Sequence, residues 1–222
     1  MRNYKRITLL CGHYGSGKTN VAVNMAFELK KQCENVALAD LDIVNPYFRA
    51  KDSKEELQNA GIRLICSEYA NSNVDIPALP QDMYAISDDK TLHCILDIGG
   101  DDRGALALGR LAPAILAENN YEMLMVINRA RPLTGDATST LEVMREIEAA
   151  SGIRFTGLVN NTNLGAETVP EDVLASLPYA NEVSARSGLP LVATSVREDL
   201  VAALDGKVEN LFPLRLQKHE NL

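Results

Sequence analysis

Residues 12–19 read Gly-His-Tyr-Gly-Ser-Gly-Lys-Thr, a full match to the phosphate-loop pattern G-x-x-x-x-G-K-[ST]. The apolar run before it, residues 6–11, predicts a buried strand, and residues 20–29 after it have the apolar spacing of a helix. A strand, this loop and a helix in succession form the context in which the pattern indicates a binding site. The loop therefore constrains the chain to an α/β fold that begins with a strand, a phosphate-binding turn and a helix.

The chemistry of such a loop is anion binding. Its glycines let backbone N–H groups turn inward around a β-phosphate, and the helix start adds a partial positive charge. Lys18 is expected to reach the β- and γ-phosphates in catalysis, and the Thr19 hydroxyl to bind Mg²⁺. The predicted nucleotide contacts of this region are Gly12, His13, Tyr14, Gly15, Ser16, Gly17, Lys18, Thr19 and Asn20.

Strand-like apolar runs alternate with helical segments along the rest of the chain. Further strands are predicted over residues 35–42, 62–66, 91–97, 122–128, 153–160 and 189–194. Helices are predicted over residues 51–60, 105–119, 136–150 and 170–187, with interruptions expected at Pro113 and Pro178, and residues 67–80 are predicted to form a loop. This alternation predicts an α/β protein with a mainly parallel β-sheet and helices on both faces, a P-loop NTPase fold. With no linker, residues 1–222 are expected to form a single nucleotide-binding domain.

Composition and charge exclude several other classes of protein. The chain is 46% hydrophobic, and its net charge of −8 argues against a nucleic-acid-binding surface. The four cysteines form no C-x-x-C pair, and Cys11, Cys66 and Cys94 lie in apolar runs typical of reduced, buried thiols; a metal cluster shared across a subunit interface is the alternative. The absence of a signal peptide and of an apolar run of ~18 residues favours a cytoplasmic location. Membrane binding is not expected either, because Pro213 interrupts the apolar segment 208–216.

Two of the predicted strands end in carboxylates, at the edge where a parallel sheet binds its ligands. Asp40 and Asp42 are alternate residues and so project to the same face. Asp97 opens a D-x-x-G pattern that ends at Gly100, in which the Asp supports Mg²⁺ and the glycine N–H meets the γ-phosphate. Asp40, Asp42 and Asp97 are therefore predicted, with Thr19, to form the metal site. Asp40 has a second interpretation, as the residue that orients Lys18, Thr19 or a water.

Asparagines end the strand predicted over residues 153–160. The amides of Asn160 and Asn161 are candidates for contacting a purine base, since an amide pairs with both acceptors and donors; a capping turn is the alternative. The guanine-selecting N-K-x-D pattern is absent, because Asn161 stands at its Lys position and Asn163 at its Asp position. This difference favours ATP over GTP. The later segment 192–199 is placed to close over the base.

Together these elements resemble the MinD/ParA family of P-loop ATPases, which includes the nitrogenase iron protein and metallochaperone ATPases. The resemblance covers nearly the whole chain. It implies that Asp42 positions the attacking water, that Asp97 supports Mg²⁺, and that Asn160 or Asn161 meets the adenine. It also implies an ATP-dependent homodimer.

The chain departs from this family at His13. The family's loop carries an additional lysine there, which crosses the ATP-bound dimer to the partner's phosphates, and a neutral imidazole does not replace a fixed positive charge. Whether ATP brings two chains together is thus left open. Four arginines are candidates for the missing charge: Arg49, Arg103, Arg129 and Arg131.

The function predicted from these features is that of an ATP-driven switch. It would hydrolyse ATP slowly with Mg²⁺ and pass a conformational change to a protein partner that the sequence does not name. Two alternatives stay open. One is a small-molecule kinase or ATP-dependent ligase, with an acceptor held between residues 43 and 90 and Asp42 accepting its proton. The other is a nucleotide-sensing module with little hydrolysis.

Overall fold

In a computed structural model of the protein, the described residues are 2–41, 53–66, 81–99 and 108–216. Their strands are β1 (Ile7–Cys11), β2 (Val36–Leu41), β3 (Arg63–Cys66), β4 (His93–Ile98), β5 (Tyr121–Ile127), β6 (Gly157–Asn160), β7 (Leu191–Arg197) and β8 (Leu211–Leu214). Their α-helices are α1 (Lys18–Lys30), α2 (Lys54–Asn59), α3 (Ala85–Asp88), α4 (Ala112–Glu118), α5 (Ala137–Ser151), α6 (Pro170–Ser187) and α7 (Val201–Leu204). Short 3₁₀ helices lie at Gln81–Tyr84, Pro132–Thr134, Gly165–Glu167 and Glu198–Leu200.

The eight strands form one sheet in the order β3-β2-β4-β1-β5-β6-β7-β8. Every neighbouring pair is parallel. Strands β1, β2 and β6 are buried at every residue, which explains their continuous apolar sequences. The predicted α/β fold with a parallel sheet is confirmed, and the strand order, which the sequence left open, places β1 in the interior of the sheet.

Helices cover both faces of the sheet because successive strand residues point in opposite directions. Leu9 of β1 packs into one apolar core with α4, α5 and α6. Leu10, the next residue, packs into a second core with α1 and α2. A smaller cluster that includes Val173, Val196 and Leu204 joins α6, β7 and α7 near the β8 edge.

Strand β8 was not predicted from the sequence. It contains Pro213, which has no N–H to donate to a sheet and argued against a strand. The structure resolves this conflict by placing β8 at the edge of the sheet, where β7 is its only partner among the described strands. Residues 211–214 of the apolar segment 208–216 thus form an edge strand. Among the described residues, no helix combines the length and apolar content that crossing a bilayer requires.

Helix α6 differs from the prediction at Pro178, where an interruption was expected. The helix runs without a break over its 18 residues. Proline removes the N–H that would bond the carbonyl four residues earlier and displaces the turn before it. The carbonyl group that loses its N–H partner is that of Leu174, and next to it Arg129 Nη1 donates to the Ala175 carbonyl oxygen at 3.0 Å. The interruption expected near Pro113 is present, because residues 110 and 111 form a turn and Pro113 lies in the first turn of α4, where proline is tolerated.

Candidate functional site

The phosphate loop joins β1 to α1 and is enclosed on two sides. Gly15 and Gly17 have φ values of 77° and 82°, a left-handed conformation that favours glycine. A Cβ at Gly17 would lie 2.3 Å from Nδ2 of Asn161, and one at Gly12 would lie 2.4 Å from the Val126 carbonyl oxygen. The loop therefore passes so close to β5 and to the residue after β6 that both positions have room only for glycine.

Lys18 and Thr19 open α1 and are both buried, at 2% and 3% exposure. Burial raises the pKa of the Cys11 thiol at the end of β1. Two nearby charges also act on this pKa: the Lys18 ammonium lowers it, and the Asp97 carboxylate raises it further. Lys18 and Asp97 thus both lie near the Cys11 thiol at the end of β1. The structure brings the predicted phosphate-binding lysine and the predicted metal-supporting aspartate into one site.

Asp40 and Asp97 are direct neighbours in the sheet. They pair in register across β2 and β4, and Asp97 also pairs with Leu10 of β1. Neighbouring strands lie about 4.8 Å apart, so the two carboxylates start from adjacent positions beside the phosphate loop. Carboxylate and hydroxyl oxygens are the hard ligands that Mg²⁺ prefers, so Asp40, Asp97 and Thr19 fit a magnesium site. Asp42 and Gly100, predicted to complete it, lie outside the described residues.

Asn161 links the loop to β6 and β7. Its Nδ2 donates to the Ser16 carbonyl oxygen at 2.7 Å, and its Oδ1 accepts from Ser195 Oγ at 2.5 Å. All three residues are buried. A buried chain of hydrogen bonds of this kind fixes the position of the loop relative to the two strands.

Asn160, the other predicted base contact, has a different environment. Its Nδ2 donates to Ser176 Oγ of α6 at 2.8 Å, and its Oδ1 accepts from Thr162 Oγ1 at 2.8 Å. These contacts tie α6 to the end of β6. The base contact predicted for Asn160 or Asn161 stays a prediction, and of the two it is Asn161 that lines the cavity described below.

Two of the four candidate arginines, Arg129 and Arg131, lie among the described residues and make different contacts. Arg131, which follows β5, donates from Nε to the Gly15 carbonyl oxygen at 2.8 Å. Arg129 instead donates to α6, as described above. Arg49 and Arg103 lie outside the described residues. His13, at the position of the family's additional lysine, donates from Nδ1 to the carbonyl oxygen of Tyr14, its neighbour in the chain, at 3.0 Å.

A cavity of about 400 Å³ opens beside the loop. One side is formed by residues of the loop and α1, and the others by the segments after β5 and β6, by α6, and by the carboxyl ends of β7 and β8. Its lining residues are Gly15, Gly17, Lys18, Thr19, Asn20, Arg131, Asn161, Thr162, Asn163, Gly165, Ala166, Thr168, Val173, Ser195, Val196, Arg197, Leu214 and Leu216. A cavity of this size next to a phosphate loop suits the base and ribose of a nucleotide.

Sequence reasoning anticipated this cavity only in part. The segment 192–199 was expected to close over the base, and Ser195, Val196 and Arg197 line the cavity. Leu214 and Leu216 were missed, because the proline in their segment obscured strand β8. The available signal was the apolar pattern of residues 211–216. The end of β8 is fixed to α1 by Asn24, which bonds the Arg215 carbonyl oxygen and N–H, each at 2.9 Å.

The sequence matches the family model of the CobQ/CobB/MinD/ParA nucleotide binding domain over residues 7–188. The protein belongs to this family. The match covers β1 to the end of α6 and so includes the phosphate loop, the Asp40–Asp97 pair and Asn161. It confirms the resemblance inferred from the motifs. No curated protein matches the sequence.

Solved structures of FtsY share the fold. Chloroplast FtsY from Physcomitrella patens superposes with a TM-score of 0.57 at 17% identity, over 87% of this chain and 59% of that one. FtsY from Thermotoga maritima gives 0.54 at 19% identity, over 86% of this chain and 61% of that one. FtsY of Elizabethkingia anophelis in complex with GDP gives 0.51 at 17% identity, over 88% and 58%. The chain thus spans about three-fifths of the length of these proteins, and the likeness supports the nucleotide-binding fold alone.

Proposed function

We propose that the protein is a Mg·ATP-binding ATPase that hydrolyses ATP slowly and acts as a conformational switch for a protein partner. The observation that carries the proposal is the joining of two halves of a nucleotide site. The loop places buried Lys18 and Thr19 beside the Asp40–Asp97 pair, and the cavity for base and ribose opens from the same loop. A triphosphate bound across both halves would have its γ-phosphate near the carboxylates.

The preference for ATP over GTP is part of the proposal. A guanine-selective site needs an acceptor for the adjacent N–H groups of the base, a task suited to a carboxylate. Within the described part of the chain, the residues that line the cavity include no Asp or Glu. Asn163, at the Asp position of the guanine-selecting pattern, bonds its own segment: Nδ2 donates to the Asn161 carbonyl oxygen at 2.6 Å, and Oδ1 accepts from Gly165 N–H at 3.1 Å.

In the proposed reaction, each residue has a distinct task. The loop N–H groups and Lys18 would bind and orient the phosphates. Asp40, Asp97 and Thr19 would hold Mg²⁺, which when bound neutralises charge on the phosphate oxygens. The family resemblance assigns to Asp42 the positioning of the attacking water. Bound ATP would stabilise one conformation of the protein, and the release of phosphate would favour another. A partner protein or a second copy of the chain would bind only one of these conformations.

Lys18→Ala tests the site assignment. Removing the buried ammonium is expected to weaken Mg·ATP binding at least a hundredfold, because the charge-assisted contacts to the β- and γ-phosphates are lost. Titration calorimetry of both proteins with Mg·ATP measures the change. Lys207→Ala removes an exposed lysine from the segment after α7 and serves as the control, with unchanged affinity. Wild-type affinity in Lys18→Ala would contradict the assignment.

Phosphate release per chain tests the mode of action. A rate that rises with protein concentration indicates hydrolysis that depends on dimerisation, with a residue other than a loop lysine completing the site. A rate near zero at every concentration contradicts autonomous hydrolysis and directs the search to a partner or a phosphoryl acceptor.

Parallel measurements with GTP test the base preference, and faster hydrolysis or tighter binding of GTP would overturn it.

A further inference from the structure

We infer that Arg131 is a base-binding residue of the nucleotide site, whose guanidinium stacks on the base while its Nε holds the phosphate loop. The inference rests on the proposed nucleotide site and assigns a residue that the family's motifs do not contain. It concerns a contact between two distant parts of the chain, since Arg131 and Gly15 are 116 residues apart.

The Arg131 side chain is fixed against the loop. Its Nε donates to the Gly15 carbonyl oxygen at 2.8 Å. A Cβ built on Gly15 would lie 3.3 Å from Nε and 3.7 Å from Cζ of Arg131, so the guanidinium lies directly against the Gly15 backbone. One hydrogen bond and this close contact orient the plane of the guanidinium. Arg131 also lines the cavity, so the oriented group borders the space that the nucleotide would occupy.

The position favours contact with the base over contact with the phosphates. A phosphate-binding loop directs its N–H groups inward to the anion, and Arg131 instead bonds a carbonyl group of the loop. Among the described residues, the Arg131 Nη groups have no hydrogen-bond acceptor, which leaves the flat cation available to a ligand. A guanidinium binds aromatic faces by cation–π attraction and stacking, and a purine in the cavity offers such a face.

A second contact indicates that occupancy of the cavity is coupled to the loop. Asn161 holds the Ser16 carbonyl oxygen, and Arg131 holds that of Gly15, the preceding residue. Both side chains line the same cavity. Two consecutive carbonyl groups of the phosphate loop are therefore held by residues that a bound base would touch, so base binding would stabilise the loop in the conformation that binds phosphate.

The test compares ligands with and without a base. Arg131→Ala is expected to lower the affinity for Mg·ATP about tenfold to a hundredfold, the range for losing a contact to a charged group, and to leave the affinity for Mg·tripolyphosphate unchanged. Arg131→Lys keeps the charge but loses the plane and should recover only a small part of the loss. Arg129→Ala, which removes a neighbouring arginine bound to α6, is the matched control, with wild-type affinity for both ligands.

The absorbance of the base gives a second readout. The chain contains no tryptophan, so the change near 260 nm when saturating ATP binds reports mainly the change in the environment of the base. This change is expected to be smaller in Arg131→Ala than in the wild type or in Arg129→Ala.

Three results would overturn the inference. The first is a loss of tripolyphosphate affinity in Arg131→Ala equal to its loss of ATP affinity, which would indicate a phosphate contact or a damaged loop. The second is wild-type ATP affinity in that variant. The third is a change near 260 nm in Arg131→Ala as large as that in the wild type. Failure of the wild-type protein to bind any nucleotide is a different outcome, because it would reject the proposed function itself.

Discussion

Two glycines with similar backbone angles illustrate what a single residue contributes to the site. Gly17 and Gly152 have φ values of 82° and 71°, so a side chain at either position is strained. Their surroundings differ. A Cβ at Gly17 would collide with the amide of Asn161, whereas a Cβ at Gly152, which ends α5, would meet no atom within 4 Å. The left-handed conformation is thus common to both, and only the close approach at Gly17 is specific to the site.

The pair Gly17→Ala and Gly152→Ala separates backbone strain from damage to the site. Both variants are expected to lose about 1 kcal/mol of unfolding free energy from the left-handed conformation. Gly17→Ala should in addition lose at least a hundredfold in nucleotide affinity, because Asn161 must move and release the Ser16 carbonyl oxygen. Denaturant unfolding and nucleotide titration measure the two effects. Equal nucleotide affinities in the two variants would show that the Gly17–Asn161 approach does not matter for binding.

At the scale of the element, helix α6 shows how tertiary contacts override a local signal. Pro178 is exposed, and in isolation it would break the helix. Two carbonyl groups of the preceding turn accept side-chain donors: Val173 from Ser176 Oγ at 2.7 Å, and Ala175 from Arg129 at 3.0 Å. These donors flank the Leu174 carbonyl group, whose N–H partner the proline removes, and we expect them to help the helix continue across it.

A double-mutant cycle tests this account of α6. Pro178→Ala is expected to raise the free energy of unfolding by about 1–2 kcal/mol, since it restores a helical hydrogen bond and removes a steric conflict. Arg129→Ala should cost about 1 kcal/mol in the wild type and clearly less in the Pro178→Ala background, where the helix satisfies its own carbonyl groups. Urea unfolding of the four proteins measures the coupling. Strictly additive effects would show that Arg129 does not compensate for the proline.

At the scale of the whole molecule, the two ends of the sheet have different tasks. The carboxyl ends of the strands carry the nucleotide site, and the amino ends are held by Arg6. This guanidinium donates to the carbonyl oxygens of Leu92 at 2.8 Å and Ile86 at 3.0 Å, and it pairs with Glu118 at the end of α4. Hydrogen bonds from Arg6, and then from Lys90, lower the pKa of Glu118 to about 2.

This ion pair predicts a pH dependence of stability. A lowered carboxylate pKa stabilises the folded state above the ordinary value of 4.5, and the contribution is lost as the pH falls through the folded value of about 2. Glu118→Gln should therefore cost about 1–3 kcal/mol at neutral pH, because Arg6 is buried, and the difference from the wild type should shrink between about pH 4.5 and 2. Urea unfolding across this range measures it.

Glu182→Gln is the control for this experiment. It removes a partner of Arg186 in an exposed pair on α6 and should cost below about 1 kcal/mol at any pH. A difference between Glu118→Gln and the wild type that persists undiminished at about pH 2 would contradict the role assigned to the Glu118 charge.

The site itself was predictable in its local parts. The glycine spacing, Lys18 and Thr19 define a phosphate loop by sequence alone, and the ends of the predicted strands indicate Asp40 and Asp97 as candidate metal ligands. Their direct pairing across β2 and β4 was not predictable, because it depends on β4 lying between β2 and β1 in the sheet. The same holds for Arg131, one of four candidate arginines in the sequence, which is distinguished only by its contact with Gly15.

The sequence alone determined the order of elements from β1 to β7 in outline, the parallel α/β class and the phosphate loop, because apolar periodicity and glycine spacing act on neighbouring residues. The tertiary structure decided which distant residues meet. Asn161 reaches Ser16 across 145 residues of sequence, and β8 tolerates Pro213 because it lies at the edge of the sheet. Such contacts depend on the order in which strands pair, and strand order arises from the packing of the whole sheet, which no local pattern encodes.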